Sequence, residues 1–245
     1  MDPLCEKYYG VSPYAYCEND PLLFIDSNGM FPIYDTYGRF LGTDDSGLVG
    51  FPLIMDKSLF RQGMSSMEAA SVCVLGEWPE GIEDKVISHY ESLKSRPDYD
   101  GFVTIGEGIS WAKAHPNALK NPTPDNTLYI NASLLDFGAL STSDFKNVGN
   151  IEAINLFSNE NILKSVGNPE LMATVYALGR VNMRLIDRDK GLVEVINDNA
   201  TDYDWNCGGG WKRNLFININ NGIWGIDPAI HGFKTYYYGY GQLNQ

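Results

Sequence analysis

Val181-Asn-Met-Arg-Leu-Ile186, Asp187-Arg-Asp-Lys-Gly191 and Leu192-Val-Glu-Val-Ile196 form the stretch that decides the fold class. Two β-prone runs flank a turn of Asp, Arg, Asp, Lys and Gly, and Gly191 can supply a positive φ; this predicts a hairpin of paired antiparallel strands. Immediately upstream, Asn168-Pro169-Glu170 places a cap, a proline at the first helical position and an acid in the first turn. A helix is therefore expected to run to Leu178 and end at Gly179. A helix entering a hairpin of sequential strands points to α+β.

The rest of the chain agrees with that class. Thr127-Leu-Tyr-Ile-Asn131 and Thr235-Tyr-Tyr-Tyr238 read as strands, and Phe51-Pro-Leu-Ile-Met55 as another. Ile33 to Gly42 reads as a hairpin turning at Asp35-Thr-Tyr-Gly38. Residues 57–120 are mainly helical: Ser66 is a candidate cap for Met67 to Leu75, and Glu80 to Leu93 carries Ile82, Val86, Tyr90 and Leu93 on one face. Gly106 to Ala114 is a third helix, stopped by His115-Pro116. No internal repeat is present. The expected architecture is α+β, a helical middle section packed on antiparallel hairpins.

Composition narrows the function classes. The 245 residues are 44% hydrophobic and 13% aromatic, enough for a folded core rather than disorder. Eighteen basic against 31 acidic residues leave a net charge of −13, and the best basic group is the pair Lys212-Arg213. A duplex-binding surface needs clustered cations, so a nucleic-acid partner is disfavoured. Cys5, Cys17, Cys73 and Cys207 contain no Cys-x-x-Cys, and with His89, His115 and His231 they show no zinc spacing; free thiols are the simpler reading, a structural disulfide the alternative. Asp35, Asp44 and Asp45 lack the alternation of a calcium loop, so no metal is expected. No apolar run spans a membrane, and the first residues do not resemble a signal peptide.

The N-terminal 30 residues are turn-rich, with apolar pieces too short for a core of their own, and are expected to lie as an extended strip on something larger. They read Asp2-Pro3-Leu4, Ser12-Pro13-Tyr14-Ala15-Tyr16, Asn19-Asp20-Pro21 and Asp26-Ser27-Asn28-Gly29. This ordered series resembles the closing stretch of an Rhs (YD-repeat) core, with Asp20 in place of an Asn and Ser27 in place of a Pro. The resemblance covers about one eighth of the chain. It implies that residues 1–30 are a core remnant and residues 31–245 a variable C-terminal passenger, often a toxin aimed at competing bacteria. It further implies a β-rich shell from the parent polypeptide as partner, an immunity protein, and secretion as part of a larger exported protein, with a cytoplasmic location when expressed alone. A chain opening inside the motif is expected to be a displaced tail cassette or a truncated form. Asp26 takes the position of the core's self-cleavage residue; the missing Pro favours a plain turn-former there.

Within the passenger, the least ordinary chemistry lies near the C-terminus. Asp202 and Asp204 alternate and share a face if extended. Gly208, Gly209 and Gly210 permit close backbone approach to a ligand, with Asn206 before them and Arg213 beside them. His231 is then the candidate general base or acid, oriented by Asp202, Asp204 or Asp227. The alternative is a loop of Asx-turns with His231 capping a turn. Two weaker patterns accompany it. Asp98, Thr104 and the run Thr104-Ile-Gly-Glu107-Gly faintly resemble phage-type lysozymes, but His89 stands where the acid is required and Glu91 is two positions off, which leaves a peptidoglycan hydrolase poorly supported; Glu107 reads better as a helix cap. Cys207 with His231 makes a thiol-imidazole pair that lacks a third orienting group. An enzymatic effector and a non-catalytic binding module using Tyr236-Tyr-Tyr238 and Tyr240 both remain, with the cofactor unknown.

Overall fold

The structure, a computed structural model, describes residues 31–74, 78, 81–156, 158–198, 202–203, 218 and 222–243. The chain divides into two compact units, residues 1–93 and 94–245, and its class is α+β. The N-terminal strip, with Asp26, lies outside the described residues.

In the first unit β1 (Pro32–Asp35) and β2 (Phe40–Thr43) form the anticipated hairpin, with Gly38 at φ 70°. Asp35 organises the turn: its Oδ1 accepts the Tyr37 and Arg39 backbone N–H groups, and its Oδ2 takes the Arg39 Nε at 2.7 Å. Burial opposes the Asp35 charge, but these donors outweigh it and hold the carboxyl below its ordinary value. β3 (Leu53–Met55) joins β1 in parallel, giving the order β2-β1-β3. The sequence marked Phe51–Met55 as a strand without fixing its partner or direction. A parallel neighbour needs a long return connection, and the 17 residues 36–52, counted from the ends of β1 and β3, include β2 and provide it.

Helix α1 spans Ser66–Val72 and is capped by Ser65, whose hydroxyl accepts the Glu68 N–H. Sequence assigned the cap to Ser66, one position late. Adjacent serines are equivalent on paper, but the Ser66 hydroxyl is engaged by Asp44 at 2.7 Å. Helix α2 (Glu83–Leu93) buries Val86 and Leu93 and starts later than Glu80, because Gly81 at φ 78° holds the chain outside helical space.

The second unit carries two sheets. One has the order β10-β7-β6-β5, from β5 (Ile151–Asn155), β6 (Arg180–Asp187), β7 (Leu192–Val195) and β10 (Gly241–Gln242), all antiparallel. The hairpin β6–β7 is the one predicted: Gly191 has φ 65°, and Asp187 Oδ1 accepts the Lys190 N–H at 3.0 Å. Val181, Met183, Leu185, Val193 and Val195 are all buried, so alternate residues of each strand enter the core. The second sheet has the order β4-β9-β8, in which β4 (Leu128–Asn131) and β9 (Phe233–Tyr238) are parallel and β8 (Asp202–Tyr203) is antiparallel to β9.

The helices of this unit are α3 (Ile105–Ala114), α4 (Asn159–Ser165) and α5 (Pro169–Leu178). Helix α5 has the predicted limits, with the Asn168 side chain accepting the Leu171 N–H and Gly179 at φ 51° ending it. Leu128, Phe137, Phe145, Leu156, Val175 and Phe233 belong to one buried cluster with the hairpin residues.

Candidate functional site

Of the C-terminal candidates, Asp204, Asn206, Cys207, Gly208, Gly209, Gly210 and Arg213 lie outside the described residues. Asp202 contributes its backbone to β8, opposite Lys234 of β9. His231 sits at the end of a tight turn. Its Nδ1 accepts the Asp227 backbone N–H at 2.7 Å, and its own N–H donates to the Asp227 carbonyl at 2.9 Å. The Asp227 carboxylate instead accepts the Ala229 N–H. An acceptor at Nδ1 places the ring proton of neutral His231 on Nε2. The ring thus caps its turn, and its contact with Asp227 runs through the backbone.

The Asp98–Glu107 stretch is structural in three of its members. Asp98 is fully buried against Arg96 and accepts the Tyr129 N–H at 2.7 Å. Thr104 caps α3, and Glu107 Oε2 answers by accepting the Thr104 N–H and hydroxyl, a complete capping box. His89, in the first unit, holds the Tyr34 hydroxyl at 2.9 Å.

The same stretch nonetheless borders a cleft of about 580 Å³, between the chain before Asp100 and the outer side of α3. Glu107, Ser110, Trp111 and His115 line it from α3 and its C-cap, and Lys94, Tyr99 and Asp100 from the preceding chain. Their spacing explains the shared face: positions 107, 111 and 115 recur every four residues.

His115 is the residue that sequence reasoning passed over as a cap before Pro116. Its ring lies 3.9 Å, centroid to centroid, from that of Trp111, and its Nδ1 lies 3.0 Å from the Trp111 carbonyl. A carbonyl only accepts, so Nδ1 carries the proton and neutral His115 keeps its lone pair on Nε2. Ring plane and tautomer are both set before any ligand arrives. The only sequence signal was spacing, since a C-cap histidine four residues after Trp111 falls on the same face.

Several polar side chains of the cleft present acceptors, alongside the Lys94 ammonium and the Tyr99 hydroxyl. Asp100 uses Oδ1 for the Phe102 N–H, Glu107 uses Oε2 for its cap, and Ser110 donates to the Gly106 carbonyl. Asp100 Oδ2, Glu107 Oε1, the Ser110 oxygen and His115 Nε2 are acceptors still available among the described residues. Arg96, which also lines the cleft, is engaged by Asp98 and by the Asp125 and Thr127 carbonyls, with its guanidinium 4.7 Å from the Trp111 centroid.

A second cleft of about 580 Å³ adjoins β5 and α4. Its charged groups are paired locally: Glu160 with Lys164 at 3.1 Å, and Asp144 with the Ser141 N–H. No group of three or more His, Cys, Asp or Glu suited to a metal ion occurs among the described residues, and no described helix is long and apolar enough to cross a membrane. Comparison with protein-family models, with curated proteins and with solved structures returns no match for this chain.

Proposed function

We propose that residues 31–245 are the effector passenger of an Rhs-type polymorphic toxin system, and that its chemistry is carried out in the α3 cleft. The observation that carries the effector reading is the ordered sequence series from Asp2-Pro3-Leu4 to Asp26-Ser27-Asn28-Gly29, directly ahead of the described residues. The first described strand begins at Pro32, three residues past Gly29. The cleft supports an enzymatic role. It joins an imidazole of fixed tautomer to two carboxylates, which is equipment for proton transfer. His115 Nε2 is the proton-transfer group in this reading, and Glu107 and Asp100 hold substrate.

The parent core is then the enclosing partner, and an immunity protein neutralises the domain in the producing cell. The test is expression of the full chain and of residues 31–245, in bacterial cytosol and periplasm, with and without the gene immediately downstream. Growth arrest in one compartment, relieved by that gene, is the expected result. Unimpaired growth in both compartments, with folded protein present, would remove the effector reading and leave a binding module.

A further inference from the structure

We propose that the α3 cleft binds a small organic cation, an alkylammonium or guanidinium group. The inference deepens the site reading above but does not depend on toxicity. It follows from which atoms are still available for bonding. Asp100 Oδ2, Glu107 Oε1, Ser110 Oγ and His115 Nε2 all accept, so the complement is a ligand rich in N–H donors. Two carboxylates add negative charge, while the nearest guanidinium is paired: Asp98 meets Arg96 through Nε and Nη2. An anionic ligand would therefore meet two carboxylates, with Arg96 already paired and Lys94 the one lysine lining the cleft.

Tyr99 adds aromatic surface to the cleft, while the Trp111 indole is already engaged by the Arg96 guanidinium at 4.7 Å and the His115 ring at 3.9 Å. The volume of about 580 Å³ suits a small molecule. The chain's net charge of −13 raises the local concentration of cations generally.

Two substitutions remove the charges and keep the fold. Glu107→Gln retains a carbonyl oxygen for the Thr104 N–H, as capping boxes accept either residue. Asp100→Asn retains the acceptor for the Phe102 N–H. The full chain is titrated with spermidine, a free amine, and with Nα-acetyl-lysine methylamide, a protein side chain in miniature. Inorganic phosphate and sorbitol serve as anionic and neutral probes. Binding is read by calorimetry and by the His115 ring signals in nitrogen-correlated NMR.

Saturable binding of at least one amine, shifting the His115 signals and weakened about tenfold or more in the double variant, is expected. The tighter of the two amines identifies the source of the cation. Absence of saturable binding by both amines overturns the proposal, as does equal affinity in the double variant or tighter binding of phosphate or sorbitol. A toxic domain whose cleft ignores the amines sinks this inference alone. A harmless domain that binds them sinks the effector reading alone.

Discussion

Arg96 and Asp98 meet as a two-pronged ion pair, Nε to Oδ1 and Nη2 to Oδ2 each at 2.9 Å, with side chains 8% and 0% exposed. Burial opposes the Arg96 charge, and the Asp98 carboxylate outweighs it, raising the guanidinium pKa further. Asp98 also takes the Tyr129 N–H, and Arg96 reaches the Asp125 and Thr127 carbonyls, so the pair ties the chain before α3 to the start of β4. Arg96 also lines the α3 cleft.

Removing one partner leaves the other charged and buried. Arg96→Met is therefore expected to destabilise the second unit by about 3–5 kcal/mol, measured as a lower urea midpoint. A loss below about 1 kcal/mol, the range of exposed pairs, would mean the pair is solvated.

Asp44 predicts a pH dependence in the first unit. Burial raises its carboxyl to about 6, against hydrogen bonds from the Ser66 hydroxyl and the Ser46 and Phe31 N–H groups. A folded-state value above the unfolded one means the folded unit holds the proton more tightly. The resulting stability is present below pH 4 and is lost as pH rises through about 6. Between pH 5 and 7 the wild-type chain should lose about 1 kcal/mol more than Asp44→Asn does. Identical pH slopes for the two proteins would place Asp44 in contact with water.

Gly101 and Gly149 separate backbone strain from crowding, because both have φ 84°. A Cβ at Gly149 meets nothing within 4 Å, whereas one at Gly101 would lie 2.5 Å from the Tyr238 hydroxyl and 2.8 Å from Asn131 Cβ. Gly149→Ala should cost about 1 kcal/mol from conformation alone. Gly101→Ala should cost a further 1–3 kcal/mol, roughly, from overpacking. Equal thermal midpoints for the two variants would show that Asn131 and Tyr238 move aside freely.

Local chemistry was legible and long-range pairing was not. Asn168-Pro169 fixed one end of α5 and Gly179 the other, and Gly191 fixed the hairpin, because each acts within a few residues. The parallel partners Tyr34–Ile54 and Tyr129–Tyr236 left no local trace, since register across a long connection depends on the finished core. Strand β5 was missed for a related reason: as a sheet edge with Ile151 exposed, it lacks the buried alternation that marks β6. The Asp98–Glu107 stretch was noticed for a weak motif and is a lining element for a different reason, the four-residue spacing of Glu107, Trp111 and His115.

The two histidines of the second unit give the sharpest test of where chemistry resides, because their Nδ1 atoms do opposite jobs. His115 donates from Nδ1 to the Trp111 carbonyl, and His231 accepts at Nδ1 from the Asp227 N–H. Asparagine places an amide near the Nδ1 position and has nothing at Nε2. In His115→Asn the NH2 can keep the Trp111 contact while the cleft loses its lone pair. In His231→Asn the carbonyl can keep the turn cap, so stability should stay within about 1 kcal/mol of wild type. With both variants folded by circular dichroism, growth arrest is expected to be lost in His115→Asn and retained in His231→Asn. The reverse pattern would move the chemistry to the segment of Asp202, Asp204 and Arg213, and would make the α3 cleft a binding surface only.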